Sequence, residues 1–287
     1  MKRQQYFQHR LQTLSALRDA VGAMRSLSAH HFRRARQALG PARIYREEMS
    51  SLIAEIGIHQ PLHAGVPAGM LVLASDLGLC GDYNSRLSRL AIDDARKNGV
   101  TTVYSVGKRP RGTLSKESLS PHRCYDAPSC LEGLSQLLAR LAQDVLEDYV
   151  AERIGGLYVI SAVFEGVGHF TPLTTRILPI EPVTASEPLR RSPYVDSNHL
   201  TMVAVREYLY ISLYEMLLDA LAAEHGMRLM AAQSAQDWLD SSTVSTARRL
   251  TAARSEASTQ ELLDIVSSSR QRLHDSSSGP RALPNSL

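Results

Sequence analysis

The sequence has few cysteines, few aromatic residues and no long apolar run. Its three cysteines are an odd number in a chain of 287 residues, which argues against a disulfide scaffold and indicates a reducing compartment. No stretch approaches the roughly 18 consecutive apolar residues that a membrane-spanning helix needs. The polar N-terminus lacks the apolar segment of a secretory signal peptide. We therefore expect a folded protein with no direct membrane span.

Proline and glycine are nearly missing from the last third of the chain. Ten of the thirteen prolines lie between Pro61 and Pro193. From Asn198 to Arg272 there is no proline and only one glycine, Gly226, and apolar residues recur every three or four positions. This pattern predicts a single helix of roughly 110 Å, far longer than a compact domain is wide. Such a helix needs a partner along its apolar stripe.

The N-terminal residues supply that partner. Gln4 to Leu39 again has no proline and the same three- and four-residue spacing. Gly40-Pro41 interrupts the pattern, which resumes as far as Ile56, so either a kink at Pro41 or two successive helices is expected. The two helical ends can bury each other's apolar stripes by pairing antiparallel.

The proline-rich middle alternates short apolar runs with helical patterns, which predicts a largely parallel α/β layer. The predicted strands and helices are Met70–Ala74, Asn84–Asn98, Val100–Val106, Leu131–Val150, Leu157–Phe164 and Thr175–Ile180. The predicted fold class is α/β, with a long antiparallel coiled coil of the N- and C-terminal helices and a central Rossmann-like α/β domain. The predicted boundaries are 1–60, 61–193 and 194–273, followed by a flexible tail over 274–287.

Small residues occupy much of the predicted seam of the C-terminal helix. They are Ser234, Ala235, Ser241, Ser242, Ser245, Ala252, Ala253 and Ala257. Small side chains bury little apolar area, whereas a coiled coil held by its own seam favours Leu or Ile there. The outer surface of this helix is therefore expected to meet another molecule.

No catalytic, metal-binding or cofactor-binding constellation is visible. The loop from Ser75 to Asn84 follows a predicted strand, where α/β proteins bind ligands. It matches neither the dinucleotide fingerprint nor the phosphate loop, so a structural turn is favoured and nucleotide binding is kept as an alternative. Cys124 and Cys130 could form a redox pair but are better explained as ordinary thiols. His30-His31 are adjacent, which is poor spacing for joint metal ligation on a helix.

Charge is unevenly distributed along the chain. Residues 1–46 carry ten Lys or Arg residues and one acid, Asp19, a formal charge of +9, whereas the rest of the chain has a formal charge of −6. The arginines Arg33, Arg34 and Arg36 are grouped within one turn. A surface rich in carboxylates is the preferred partner of this arm. A coiled-coil adaptor or nucleic-acid binder is the alternative, although aromatic residues are only 6% of the chain.

Three separated motifs carry a family resemblance. They are Ala23-Met24 with Phe32-Arg33-Arg34-Ala35; Ser75-Asp76 with Gly78-Leu79-Cys80-Gly81 and Asn84; and Thr259-Gln260-Glu261-Leu262 with Asp264-Ile265-Val266. In order and spacing the chain resembles the gamma subunit of the F-type ATP synthase over nearly its whole length. Leu77, Ser255 and Ser267-Ser268 depart from the usual family residues, which suggests a divergent or alternate form.

The resemblance implies a central rotor shaft rather than an enzyme, with no cofactor and no metal. Its expected partners are the alpha and beta subunits, the epsilon subunit and the membrane rotor ring, with no nucleic acid. It would lie peripherally on the cytoplasmic face of the cell membrane in a bacterium or archaeon, in a proton- or sodium-translocating enzyme. The resemblance places the contacts with partners at Met24, Arg33, Arg34, Arg36, Arg254, Thr259, Gln260, Glu261 and Asp264.

Overall fold

Two long helices begin and end the part of the chain that the structure describes. A computed structural model of the protein describes residues 2–56, 65–180 and 197–277. Helix α1 spans Lys2–Ile56 and the last helix, α5, spans Ser197–Ser277, which is 81 residues. None of the helices in these ranges combines the length and the apolar character needed to cross a lipid bilayer.

Pro41 lies inside α1 rather than between two helices. The alternative of two successive helices is therefore wrong. Leu39 and Ala42 are buried on either side of Pro41, and Arg43 forms an ion pair with Asp219 of α5 at 3.0 Å. These tertiary contacts offset the backbone hydrogen bond that a proline removes from a helix interior.

A five-stranded sheet lies between the two long helices in sequence. Its strands are β1 (Gly69–Leu73), β2 (Thr102–Val106), β3 (Arg123–Tyr125), β4 (Leu157–Gly166) and β5 (His169–Leu178), and its helices are α2 (Tyr83–Asn98), α3 (Arg109–Lys116) and α4 (Leu131–Val150). The strand order is β3-β2-β1-β4-β5. The first four strands are parallel, and β5 pairs antiparallel with β4 through a hairpin. The expectation of a mixed α/β fold with a parallel-rich sheet and two long terminal helices is confirmed.

Each face of the sheet has its own apolar core. On one face, side chains such as Met70 and Val72 of β1 pack with Leu87 and Ala91 of α2. On the other face, Leu71 belongs to a cluster shared with α4, α1 and α5. Alternate residues of β1 thus serve opposite layers, as the pleat of a strand requires.

By contacts the chain divides into two compact units, which we describe separately. Unit 1 contains Met1–Gly22 and Ala235–Leu287, and unit 2 contains Ala23–Ser234. The domain boundaries proposed from the sequence were placed between predicted helices and strands, whereas these two units are defined by contacts. The proposed boundaries therefore stay a prediction. Helix α5 continues to Ser277, into the predicted tail. The remainder of that tail, from residue 278, lies outside the described residues.

In unit 1 the two helices run antiparallel. Arg3 of α1 pairs with Glu256 of α5 at 3.0 Å, and Arg18 pairs with Asp240 at 3.5 Å. The seam agrees with the predicted one at Ala253, which is buried, and differs from it at Ser241, Ser245 and Ala252, which are exposed. The buried residues of α5 here are Leu239, Thr246, Leu250 and Ala253. Their spacing is that of a heptad repeat. The two largest apolar side chains among them, Leu239 and Leu250, therefore hold this seam.

Candidate functional site

The motif loop, residues Ser75–Asn84, joins β1 to α2 and is held by hydrogen bonds among its own residues. The Asn84 side chain accepts the N–H of Ser75 at 3.1 Å and donates to the Ser75 hydroxyl at 2.8 Å. It also donates to the Sγ of Cys80 at 3.1 Å. Burial raises the pKa of the Cys80 thiol, so this cysteine is an inert packing group rather than a nucleophile.

Asp76 ties the motif loop to the neighbouring parts of the sheet. Its carboxylate accepts the backbone N–H groups of Lys108 and Ala127, both at 3.0 Å. The Lys108 ammonium lies 3.4 Å from the same carboxylate, and that interaction raises the pKa of Lys108. A phosphate placed against these N–H groups would meet a carboxylate. The geometry therefore weighs against the nucleotide-binding alternative.

The glycines of the motif permit a tight loop. Gly81 has a φ of +58°, and a Cβ there would lie 3.0 Å from the Met227 methyl of α5. A Cβ on Gly78 would lie 2.8 Å from a guanidinium nitrogen of Arg109. Leu79 itself adopts a φ of 60°, unusual for a residue with a side chain. The motif thus fixes a strained loop whose outward side chains, Leu77 and Leu79, are 62% and 66% exposed.

Met24 and the motif loop line one groove of about 520 Å³. From α1 come Met24, Leu27, Ser28 and His31; from the loop come Leu77, Gly78 and Leu79; the other lining residues are Arg109, Ser129, His225 and Arg228. We call this the Met24 groove. The structure therefore brings together residues of the first two sequence motifs, which are about 50 positions apart in the chain.

A buried charged cluster lies on α5 at the Met24 groove. Arg228 donates to Glu224 one helical turn earlier, and both residues are buried. Burial raises the pKa of Glu224, and Arg228 opposes that shift. Isolated buried charges are costly, so the pairing is what allows this cluster to sit in an otherwise apolar seam.

His225 completes the cluster as a neutral ring. A guanidinium can only donate, so the contact of 3.3 Å from Arg228 makes Nδ1 of His225 the acceptor. The Nε2–H then donates to the carbonyl of Ser129 at 3.2 Å. Burial, with the Arg228 charge second, lowers the pKa of His225 from 6.5 to about 4. His31 of α1 lies against it, with ring centroids 5.2 Å apart.

The grouped arginines of α1 have different surroundings. Arg34 forms an ion pair with Glu132 of α4. Arg36 lies over the rings of Phe32 and Phe164, 5.8 and 5.6 Å from their centroids. Arg33 is exposed and donates to the carbonyl of Ala29 at 3.2 Å. Much of the positive charge of this arm is therefore used within the chain.

The third motif lies in unit 1, in the C-terminal part of α5, and its side chains are exposed. Gln260 donates to Asp264 at 3.0 Å, and the Thr259 hydroxyl donates to the carbonyl of Ser255 at 2.9 Å. Arg254 and Glu261 are likewise exposed. The apolar neighbours Leu262, Leu263, Ile265 and Val266 are all at least half exposed. We call residues 254–266 the tip segment.

The thiols and histidines singled out in the sequence do not form a reactive centre. All three cysteines are free, with Cys124 exposed and Cys130 half-buried. Among the described residues, no group of three His, Cys, Asp or Glu side chains could hold a metal ion. The charged cluster on α5 was not singled out from the sequence. Its signal was the i, i+4 spacing of Glu224 and Arg228 within an apolar stretch.

The chain is similar to known proteins over most of its length. The sequence model of a family described as ATP synthase matches residues 4–270. The ATP synthase gamma chain of Pelotomaculum thermopropionicum is 25% identical over 278 residues, which cover 90% of this chain and 94% of that one. The gamma chain of Geobacter metallireducens is 27% identical over 274 residues, with the same coverage of 90% and 94%.

Solved structures share the fold. A chain of the OSCP/F1/c-ring assembly of the Euglena gracilis mitochondrial ATP synthase superposes with a TM-score of 0.67, at 12% identity and 99% coverage of both chains. A chain from the central stalk and c-ring of the Tetrahymena thermophila mitochondrial enzyme gives a TM-score of 0.59 at 18% identity, covering 75% of this chain and 99% of that one. With the family match, these likenesses identify this chain as a member of the ATP synthase gamma-chain family.

Proposed function

We propose that this chain is the central rotor subunit of an F-type ATP synthase and couples ion flow to ATP synthesis or hydrolysis by rotating inside a ring of alpha and beta subunits. It makes and breaks no bonds itself; catalysis belongs to the beta subunits. Its α/β domain binds the epsilon subunit and the membrane rotor ring, which carries protons or sodium ions. The complex lies peripherally on the cytoplasmic face of the cell membrane of a bacterium or archaeon.

The observation that carries this proposal is the exposed apolar surface of α5 in the tip segment. Arg3 of α1 pairs with Glu256, and α5 continues past that contact to Ser277. The part of α5 past the contact exposes Leu262, Leu263, Ile265 and Val266. A helix with an exposed apolar end of this kind needs a surrounding partner, which a ring of subunits would provide.

The Met24 groove is the second surface that we propose contacts the ring of alpha and beta subunits. Its exposed leucines, Leu77 and Leu79, and the half-buried Met24 offer an apolar surface. Of the three grouped arginines, Arg33 is the one best placed for acidic loops of a beta subunit. Arg34 and Arg36 would first have to leave Glu132 and the two phenylalanine rings. Arg33→Glu is therefore a cleaner electrostatic test than reversing the charge of all three arginines, and Arg89→Glu, at an exposed position of α2, is its control.

The polar residues of the tip segment are proposed to hydrogen-bond loops of one beta subunit at a time. Arg254, Thr259, Gln260, Glu261 and Asp264 are exposed and so available to a partner. Charged hydrogen bonds contribute roughly 1.5–3 kcal/mol each, which is strong enough to favour one orientation and weak enough to break at each third of a turn. The bond from Gln260 to Asp264 would open when a beta loop takes its place.

The deciding experiment is co-expression of the chain with the alpha and beta subunits of its own organism, with an affinity tag on beta. Co-purification of all three as one ATPase, and rotation of a bead fixed to the α/β domain, would support the proposal. An alpha–beta ATPase that purifies from this co-expression without the chain bound to it would refute it. Micromolar nucleotide binding by the chain alone would favour a nucleotide-binding protein. DNA binding that weakens steeply with salt would favour a nucleic-acid adaptor.

A further inference from the structure

The β4–β5 hairpin meets both long helices within unit 2. Strands β4 and β5 pair antiparallel with Phe164 opposite Phe170, and the register shifts between Phe164 and Gly166. The ladder is therefore irregular between these two residues, and α1 and α5 contact the hairpin in this region. Three separate contacts hold this point.

The first contact is a buried carboxylate shared by three elements. Asp219 of α5 is 6% exposed. Both of its oxygens accept from one guanidinium nitrogen of Arg43 of α1, at 3.0 and 3.1 Å. The same carboxylate accepts the backbone N–H of Phe164 in β4. Arg46 of α1 adds a parallel ion pair to Glu215, one turn earlier on α5.

The second contact is a stack on the Phe164 side chain. Its ring meets Phe32 of α1 edge to face, with centroids 5.3 Å apart and planes at 67°. The guanidinium of Arg36 lies within 6 Å of both ring centroids. Both an aromatic pair and a cation over a ring are stabilising contacts. The backbone of Phe164 is thus bound to α5 while its side chain is bound to α1.

The third contact is the close approach of the hairpin turn to α5. Gly168 has a φ of +79°, and a Cβ there would lie 2.1 Å from the sulfur of Met230. Gly226 of α5 faces the same point: a Cβ on it would lie 3.5 Å from Phe32 and 3.7 Å from the backbone nitrogen of Gly168. The two glycines let the hairpin backbone reach the helix surface directly.

These contacts differ in kind from the rest of the interface between the sheet and the long helices. The large cluster of α4, α1 and α5 on the sheet is apolar, and apolar burial holds surfaces together without fixing their orientation. Hydrogen-bonded ion pairs and edge-to-face rings have preferred geometries. Rotation of either long helix about its axis relative to the sheet would break them.

We propose that Asp219, Arg43 and Phe164, with their immediate neighbours, form a torsional joint that makes the α/β sheet and both long helices turn as one body. This inference rests on the proposed function, because torque is carried only if the chain rotates. Asp219 and Phe164 are positioning residues: they touch no nucleotide and set the angle between the sheet and the helices. Loosening them leaves the helices free to twist against the sheet under load.

The test uses the assembled ATP synthase with a bead fixed to the α/β domain, and measures the angular variance of the bead while the motor waits for ATP. We expect the double variant Asp219→Ala, Phe164→Ala to increase that variance at least twofold and to lower the number of ions pumped per ATP hydrolysed. The rate of hydrolysis should be retained. Asp94→Ala is the matched control, because Asp94 of α2 also binds the hairpin, at Thr174, without touching α1 or α5. It should leave the variance at the wild-type value.

Asp219→Asn covers the case in which the double variant fails to assemble. Asparagine keeps an oxygen for the Phe164 N–H but loses the charge that holds Arg43, so a smaller increase in variance is expected. Wild-type variance in every joint variant that assembles would overturn the joint and leave the rotor function standing. Failure of the wild-type chain to assemble with alpha and beta would instead overturn the rotor function itself.

Discussion

Acidification tests whether His225 is held neutral by its surroundings. The ring faces Arg228 of α5, His31 of α1 and the carbonyl of Ser129. Its Nδ1 accepts from Arg228, so a proton added there would remove the acceptor and place two cations in contact. Burial and Arg228 lower the pKa of His225 from 6.5 to about 4. The unfolded chain therefore binds a proton at a higher pH than the folded chain does.

The size of the expected loss of stability follows from the difference between the pKa of His225 in the unfolded and in the folded chain. The stability that neutral His225 contributes is present above pH 6.5 and is lost as the pH falls toward 4. Linkage gives a loss of roughly 2–3 kcal/mol in the free energy of unfolding between about pH 7.5 and about pH 4.5. Glu224 acts in the opposite direction. Its pKa is raised by burial, so its contribution is retained at low pH and lost as the pH rises through its folded pKa.

The measurement is urea unfolding of the full chain, followed by circular dichroism across this pH range, for wild type and His225→Asn. Asparagine offers an oxygen to Arg228 and does not titrate, so the variant should lose most of the acid-dependent slope. His9→Asn, at an exposed position of α1, should keep it. An equal slope in wild type and His225→Asn would show that the ring is not held neutral and would refute the reasoning.

Three further outcomes are expected. Met24→Leu should leave ions pumped per ATP unchanged, whereas Met24→Lys should lower that ratio by placing a charge in the Met24 groove; equal ratios for both variants would remove Met24 from the interface. Arg254→Ala with Gln260→Ala should slow ATP turnover several-fold while the complex still assembles, and normal turnover would show that the tip segment does not form the proposed hydrogen bonds with a beta subunit. Gly107→Ala should destabilise the chain by roughly 2–4 kcal/mol in urea, because φ is +96° and the Cβ would lie 2.7 Å from the backbone of Ala74; an unchanged midpoint would contradict this.

The fold was predictable where local pattern and tertiary role agree. The bounds of α4, Leu131–Val150, match the prediction because the apolar spacing of this segment is strong. Strand β3 was missed because its three residues are too few to show alternation. Helix α3 was missed because Pro110 and Gly112 are usually read as breakers, although proline is well tolerated at the start of a helix.

The last strand shows how sheet position overrides local propensity. Residues Thr175–Ile180 were predicted as a strand, whereas β5 spans His169–Leu178. Pro172 lies inside β5. An edge strand accommodates proline, because one of its sides has no strand partner. The prediction therefore missed the first part of β5, whose extended conformation is decided by pairing with the neighbouring strand and not by its own sequence.

The candidate site was predictable in its motifs and not in its electrostatics. Met24 and the motif loop were singled out, and the structure brings them into one groove. The internal partners of Arg34, Arg43 and Arg46 lie 98, 176 and 169 residues away in the chain. Spacing along one sequence carries no information about such pairs. The run of basic residues was therefore interpreted as a free surface, although many of these residues form ion pairs that connect α1 to other elements of the chain.

The different environments of the three thiols make the chain ready for selective chemical labelling. Cys80 is buried with a raised pKa, so maleimide reagents will react with it slowly. Cys124 is exposed on β3, at the opposite edge of the sheet from β5. With Cys130→Ser, a dye or bead linker would attach at a single place on the α/β domain, across the sheet from the β4–β5 hairpin. The sequence thus already contains the attachment site that a rotation measurement needs, and one substitution makes it the single reactive thiol.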